Sequence, residues 1–152
     1  EVVLMEAREK KLRIATAESC TGGLIGGLLT EIPGSSDVVE RGFIVYSNRA
    51  KSDMLDVPGD MIADMGAVSE AVARAMAEGA VANSNAHMAV AVTGVAGPGG
   101  GTPLKPVGLV HIAAARENRS ILHEAHRFGD IGRGEIRMKT VEAALLLLQR
   151  LL

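Results

Sequence analysis

With 152 residues, the chain is sized for one domain around one core. Its 47% hydrophobic and 22% charged residues exclude a disordered or coiled-coil chain. Only 2% are aromatic, which excludes the base-stacking platforms of single-strand nucleic-acid binders, and a net charge of −2 without a Lys/Arg run excludes a broad DNA-binding face. Cys20 is the single cysteine, so neither a disulfide framework nor a cysteine-based metal site can be built. The longest apolar runs are too short to span a bilayer, and no signal-peptide pattern is visible. The expectation is a cytoplasmic protein with no membrane and no nucleic-acid partner.

The pattern predicts a helix over 1–11, with Val2, Val3 and Met5 on one side. Residues 12–17 (LRIATA) predict a short strand. After the turn "ESCTGG", an apolar helix is predicted over 20–31. "PGSS" at 33–36 is a turn, 40–47 (ERGFIVYS) a strand, and 48–55 a short helix capped by Ser47 or Asn48. "VPGD" interrupts the chain again. From Ser69 to Asn83 an amphipathic helix carries the stripe Val68, Val72, Met76 and Ala80. Residues 87–94 (HMAVAVTG) predict a buried strand, followed by a Gly/Pro-rich loop over 95–106. Strands over 107–115 and 120–128 are joined by "RENR" as a hairpin, and "GDIGRGEIR" opens a last helix that runs to the end. Strands alternate with helices, which makes the class α/β: a sheet covered by helices, antiparallel where the hairpin joins it. No repeat, linker or second domain is visible, so residues 1–152 read as a single unit.

In such sheets ligands bind beyond the carboxyl ends of strands. Four polar clusters fall at those ends: "AESCTGG", "YSNRAK", "VTGVAGPGGG" and "GDIGRGEIR". In the first, a hydroxyl at a strand-to-helix turn meets unpaired N–H groups, which suit an oxyanion. Ser and Thr serve equally as helix caps, and the residues alone leave both readings open. Cys20 is the rival nucleophile to Ser19. It has no histidine near it, since His87, His111, His123 and His126 fall away from the clusters, so a small buried side chain is expected.

In the second cluster, Lys51 follows Tyr46 and Ser47 on a short helix and returns toward the strand end. Placed in an apolar pocket or near a cation, it loses its proton near neutral pH and can activate a serine; a solvated surface lysine is the alternative. The third cluster supplies Thr93 and glycines whose backbone can approach an anion, although the Walker ending is absent. In the fourth, Arg133 and Arg137 lie one turn apart and suit a phosphate or carboxylate, or ion pairs with Asp130 or Glu135. No His/Asp/Glu set has metal-ligand spacing.

In this order, "TAESCTGG", "ERGFIVYSNRAK", "GAVSE", "AVTGVAGPGGG", "KPVGLV" and "GDIGRGEIR" resemble the CinA C-terminal domain family, over about Leu12 to Leu152. That family includes the bacterial nicotinamide mononucleotide amidohydrolases. The resemblance implies a three-layer α/β sandwich, with a mixed, mostly parallel sheet and helices on both faces. It implies deamidation of nicotinamide mononucleotide to nicotinate mononucleotide and ammonia by a Ser nucleophile and a Lys base, with no metal and no cofactor.

On this chain the resemblance makes Ser19 the nucleophile and Lys51 the base, with Tyr46 orienting Lys51 or relaying its proton. Cys20 and Thr21 hold the oxyanion through their N–H groups, helped by Thr93. Gly22, Asn48 and Gly94 join the substrate-binding set. Gly99, Gly100 and either Arg133 or Arg137 hold the 5′-phosphate. Glu18 tunes Lys51 or binds the ribose hydroxyls. The family pattern has "GDR" where this chain reads "GDIGR", a two-residue shift that keeps both arginines as candidates for one role. Members also occur fused behind a molybdopterin-binding-like domain. Two other readings stand beside the amidohydrolase: a non-catalytic nucleotide-binding regulatory module linked to competence or DNA damage, and an amidase for another small amide. The expected partners are a small nucleotide and further copies of the chain, joined through an aliphatic surface.

Overall fold

A computed structural model describes every residue from Glu1 to Leu152. Helix α1 (Val2–Glu9) leads into β1 (Ile14–Glu18), α2 (Leu24–Thr30), a 3-10 turn at Ser35–Asp37 and β2 (Val39–Ile44). Three helices follow: α3 (Asn48–Leu55), α4 (Gly59–Met65) and α5 (Glu70–Ala82). The chain then forms β3 (Met88–Gly94), the hairpin β4 (Leu109–Arg116) and β5 (Leu122–Arg127), and α6 (Arg133–Gln149). The sheet runs β2-β1-β3-β4-β5, with the first three strands parallel and the hairpin strands antiparallel.

Strand alternation sorts the two faces by size. Ile14 of β1 and Met88, Val90 and Val92 of β3 pack against α1, α2 and α6. Ala15, Ala17, Ala89, Ala91, Ala113 and Ala115 meet α3, α4 and α5 on the other face. Alanine on that face lets α5 lie close to the strands, and the bulk there comes from the helices through Leu55, Ile62, Val72 and Met76. A core with two phenylalanines and no tryptophan is filled in this way. Each fully buried Leu, Ile or Met contributes roughly 1.5–3 kcal/mol relative to exposure.

Two elements differ from the sequence expectation. Helix α2 starts at Leu24 rather than at residue 20, because Gly22 (φ 57°) and Gly23 (φ 111°) are left-handed and break any helix through them. Residues 19–23 instead form a tight turn, in which the Gly22 N–H donates to the Ser19 carbonyl and the Leu24 N–H to the Thr21 carbonyl, each at 3.1 Å. Helix α4 was not anticipated within the interrupted stretch. It is short, has Pro58 at its N-cap and fully buries only Ile62, so it leaves little periodic trace. The caps of the neighbouring helices are serines: Ser47 accepts from the Ala50 N–H and Ser69 from the Val72 N–H. No helix is long and apolar enough to cross a membrane.

The parallel strands end together at one edge of the sheet. From β1 the chain crosses to β2 on one side, and β3 lies on the other, so the topological switch falls between β1 and β3. The Ser19 N–H donates to the Val92 carbonyl at 3.1 Å, carrying the β1–β3 ladder one residue past β1.

A candidate active site at the strand ends

A cleft of about 320 Å³ opens at this switch point. Ser19, Cys20, Tyr46, Asn48, Lys51, Thr93, Gly94, Gly99, Gly100 and Arg133 line it. Glu18, Thr21, Gly22 and Arg137, also expected there from the sequence, do not.

Ser19 is the first residue beyond β1, and Lys51 lies one turn into α3 from its Ser47 cap. Lys51 is only 1% exposed and Ser19 9%. The Lys51 Nζ and Ser19 Oγ lie 3.2 Å apart, and Nζ also donates to the Tyr46 carbonyl at 3.4 Å. No acidic side chain lines the cleft to balance an ammonium ion. Burial therefore holds the Lys51 pKa below the usual lysine range, with only a small opposing influence from Cys20. An amine whose charged form is disfavoured by burial, within hydrogen-bond distance of a serine hydroxyl, is placed to act as its general base.

Cys20 lines the same cleft but is chemically quiet. Burial, reinforced by the nearby Glu18 carboxylate, pushes its thiol up to about 11, so it stays protonated at neutral pH. The histidines are engaged elsewhere: His111 with His123 at 2.9 Å, His126 with Glu124 at 2.9 Å, and His87 with the Arg13 N–H at 2.8 Å.

The structure corrects several expected roles. The Tyr46 hydroxyl accepts from Arg133 at 3.0 Å and only its main-chain carbonyl reaches Lys51, so its phenol neither orients nor relays for the amine. Glu18 is buried at 1% exposure, and its carboxylate accepts from the Thr21 hydroxyl (2.6 Å), the Ile25 N–H (2.8 Å) and the Gly26 N–H (3.0 Å). It contacts neither Lys51 nor the cleft. The reason lies in α2, whose N-cap is Gly23 and has no side chain to take the first free N–H groups. Glu18 supplies the missing acceptor, and this closes the start of α2 to any ligand.

The Thr93 hydroxyl donates to the Ala67 carbonyl at 2.9 Å, so its proton is committed to the loop before α5 rather than to an oxyanion. Gly22 serves the left-handed turn beneath the cleft. Of the two arginines, Arg133 faces the cleft, held by the Gly97 carbonyl at 2.8 Å. Arg137 turns the other way and donates to the carbonyls of Cys20 and Thr21, each at 3.1 Å. The N–H groups of Cys20 and Thr21 themselves meet no carbonyl of the chain.

Ala67, Val68, Val95, Ala96 and Gly97 complete the walls and were not singled out from the sequence. They are small and apolar, with no chemical signature; only their position beside a strand end and a helix cap distinguishes them. No group of three or more His, Cys, Asp or Glu side chains is placed to hold a metal ion.

The CinA C-terminal domain family model matches residues 1–152. A CinA-like protein of Synechococcus sp. (strain RCC307) is 52% identical over 149 residues, which are 97% of this chain and 36% of that protein. The crystal structure of the competence/damage inducible protein CihA from Agrobacterium tumefaciens matches with a TM-score of 0.97 and 54% identity, covering 99% of this chain and 91% of that one. A CinA superfamily protein from Escherichia coli matches with a TM-score of 0.93 and 30% identity, covering 99% and 87%. The chain spans about a third of the length of the curated relatives it matches. On this evidence of sequence and fold, the chain belongs to the CinA C-terminal domain family.

Proposed function

We propose that this domain is an amidohydrolase that converts nicotinamide mononucleotide and water to nicotinate mononucleotide and ammonia through Ser19 and Lys51. The observation that carries the reading is the 3.2 Å separation of Lys51 Nζ and Ser19 Oγ in a buried site. Neutral Lys51 takes the Ser19 proton as Oγ attacks the carboxamide carbon. The N–H of Cys20, which lines the cleft beside Ser19, receives the developing oxyanion, where one such donor contributes about 3 kcal/mol. Lys51 returns the proton to the leaving nitrogen, the C–N bond breaks and ammonia departs, leaving an ester on Ser19. Water attacks that ester, giving its proton to Lys51, and Ser19 is restored.

Beside the neutral Lys51 amine, the cleft is lined by the Arg133 guanidinium and by no carboxylate. That charge favours an anionic mononucleotide over a neutral amide. Arg133 and the unpaired N–H groups of Gly99 and Gly100 suit the 5′-phosphate.

Ammonia release from nicotinamide mononucleotide is the direct test. It is expected from the native chain and is lost in both Ser19→Ala and Lys51→Ala. Activity that survives Ser19→Ala and vanishes in Cys20→Ala overturns the assignment. Binding without turnover favours a nucleotide-binding module, and neither binding nor turnover favours a different amide.

A further inference from the structure

We infer that Lys105 is a positioning residue that straps the glycine loop over residues 95–106 to the end of α4, and so fixes two walls of the cleft against each other. The inference rests on the reading of that cleft as the nucleotide site. Two of the sequence motifs, "GAVSE" at 66–70 and "KPVGLV" at 105–110, supply neither the reacting pair nor Arg133. The structure brings these two motifs together. The Lys105 Nζ donates to the Met65 carbonyl at 2.5 Å, across 40 residues of sequence. Met65 is the last residue of α4, and a cation suits a carbonyl left free at a helix C-terminus. Gly66 makes room for the ammonium: a Cβ there would collide with the Lys105 Nζ, and its φ of 81° favours glycine as well.

Each end of the strap is continuous with one wall. On the α4 side Ala67 and Val68 line the cleft, and the Thr93 hydroxyl holds the Ala67 carbonyl at 2.9 Å. On the loop side Val95, Ala96, Gly97, Gly99 and Gly100 line it. The loop folds directly onto the segment that carries Lys105. A Cβ at Gly97 would lie 2.6 Å from the Val107 Cγ1, and one at Gly101 would lie 2.9 Å from the Val107 nitrogen. The Thr102 N–H donates to the Lys105 carbonyl at 2.9 Å, and the Lys105 N–H to the Thr102 hydroxyl at 3.0 Å. Displacing Lys105 therefore displaces Gly99 and Gly100. No other hydrogen bond joins residues 95–106 to residues 59–69.

The reacting pair is held by other means. Ser19 is tied to β3 through the Val92 carbonyl, and Lys51 belongs to α3. The strap thus governs binding rather than bond-making. With it, the free N–H groups of Gly99 and Gly100 are set before the anion arrives. Without it, the loop must be ordered at the moment of binding, which raises KM and leaves kcat.

The test is Lys105→Met in the full chain, which keeps the apolar stem and removes the charge and the donor. KM for nicotinamide mononucleotide is expected to rise about tenfold, the low end for one hydrogen bond from a charged group, because this one is exposed. Both kcat and the pH midpoint of kcat should stay native. Amide exchange followed by NMR gives a second reading that needs no substrate. The Gly66 N–H, bonded to the Ile62 carbonyl, and the Thr102 N–H, bonded to the Lys105 carbonyl, lie on opposite sides of the strap. Both should exchange faster in Lys105→Met.

A native KM, or native exchange at Gly66, overturns the strap. A fall in kcat with a shifted pH midpoint overturns it in favour of a general structural role. If the native chain does not turn over nicotinamide mononucleotide, the substrate reading fails by itself. The exchange rates then decide the strap: faster at both Gly66 and Thr102 upholds it, and a native rate at either overturns it.

Discussion

Gly79→Ala places a methyl group on α5 where α3 ends. A Cβ at that position lies 1.9 Å from the Leu55 carbonyl oxygen and 2.8 Å from its carbonyl carbon. On an isolated helix the change would stabilise by about 1 kcal/mol, because Gly is a poor helix former beside Ala. Here the obstacle is main chain, not the end of a flexible side chain, so α3 must withdraw. Cβ contacts below 3.0 Å are essentially never seen, which sets the withdrawal at roughly 1 Å. Overpacking of this kind costs roughly 1–3 kcal/mol, enough to cancel or exceed the helix gain.

The functional effect follows from position. Leu55 and Lys51 lie one turn apart on α3, so moving the first carries the second away from the Ser19 Oγ, now 3.2 Å from Nζ. A misplacement near 1 Å costs about 10²-fold in rate. The assay pairs the kcat of ammonia release with a thermal unfolding scan, where each kcal/mol moves Tm by about 2–4 °C in a domain of this size. The expected result is a lower kcat with Tm unchanged or lowered. A raised Tm with native kcat would refute both the clash and the claim that α3 packing places Lys51.

Lys51 also sets two pH dependences. Its folded pKa lies below its unfolded one, so between the two the unfolded chain holds more protons and stability rises with pH; below the folded pKa the burial penalty is complete. Lys51→Met should therefore abolish turnover yet raise Tm, more at about pH 6 than at about pH 10, with each tenfold displacement of the proton equilibrium equal to about 1.4 kcal/mol. An equal gain at both pH values refutes the linkage. In the native chain kcat should climb with pH through the Lys51 pKa, and a flat profile argues against an amine base. Cys20→Ala should keep kcat within a few-fold, since burial keeps the thiol protonated; loss of turnover on this change would reinstate the thiol as nucleophile.

The alternation of strands and helices was legible in the sequence because periodicity is a local property. The continuous apolar run at Met88–Val92, and the small, mostly apolar run at Ile14–Ala17, announce the central parallel strands directly. The clusters that follow them were legible too, since polar residues and glycines collect where buried strands must end. Helix α4 escaped notice because a seven-residue helix with one fully buried side chain has almost no period to read.

Side-chain roles divide differently. Residue spacing raised Ser19 and Lys51 as candidates and family resemblance paired them, but 32 residues separate them, and only the packing of α3 against α5 sets their distance. Glu18 shows the limit most clearly. Strand alternation puts it on the same face as Ile14, opposite Ala15 and Ala17, and the sequence determines that much. Which helix covers each face is a matter of chain crossing. The structure lays α2 over the Ile14 face, with its uncapped N–H groups above Glu18, and α3 over the alanine face, with Lys51 beside Ser19. Tyr46, Thr93 and Arg137 follow the same logic, each bound to a partner far along the chain. Sequence by itself determined which groups were available. Tertiary structure decided their partners, because a buried polar atom takes whichever acceptor or donor the packing brings within reach.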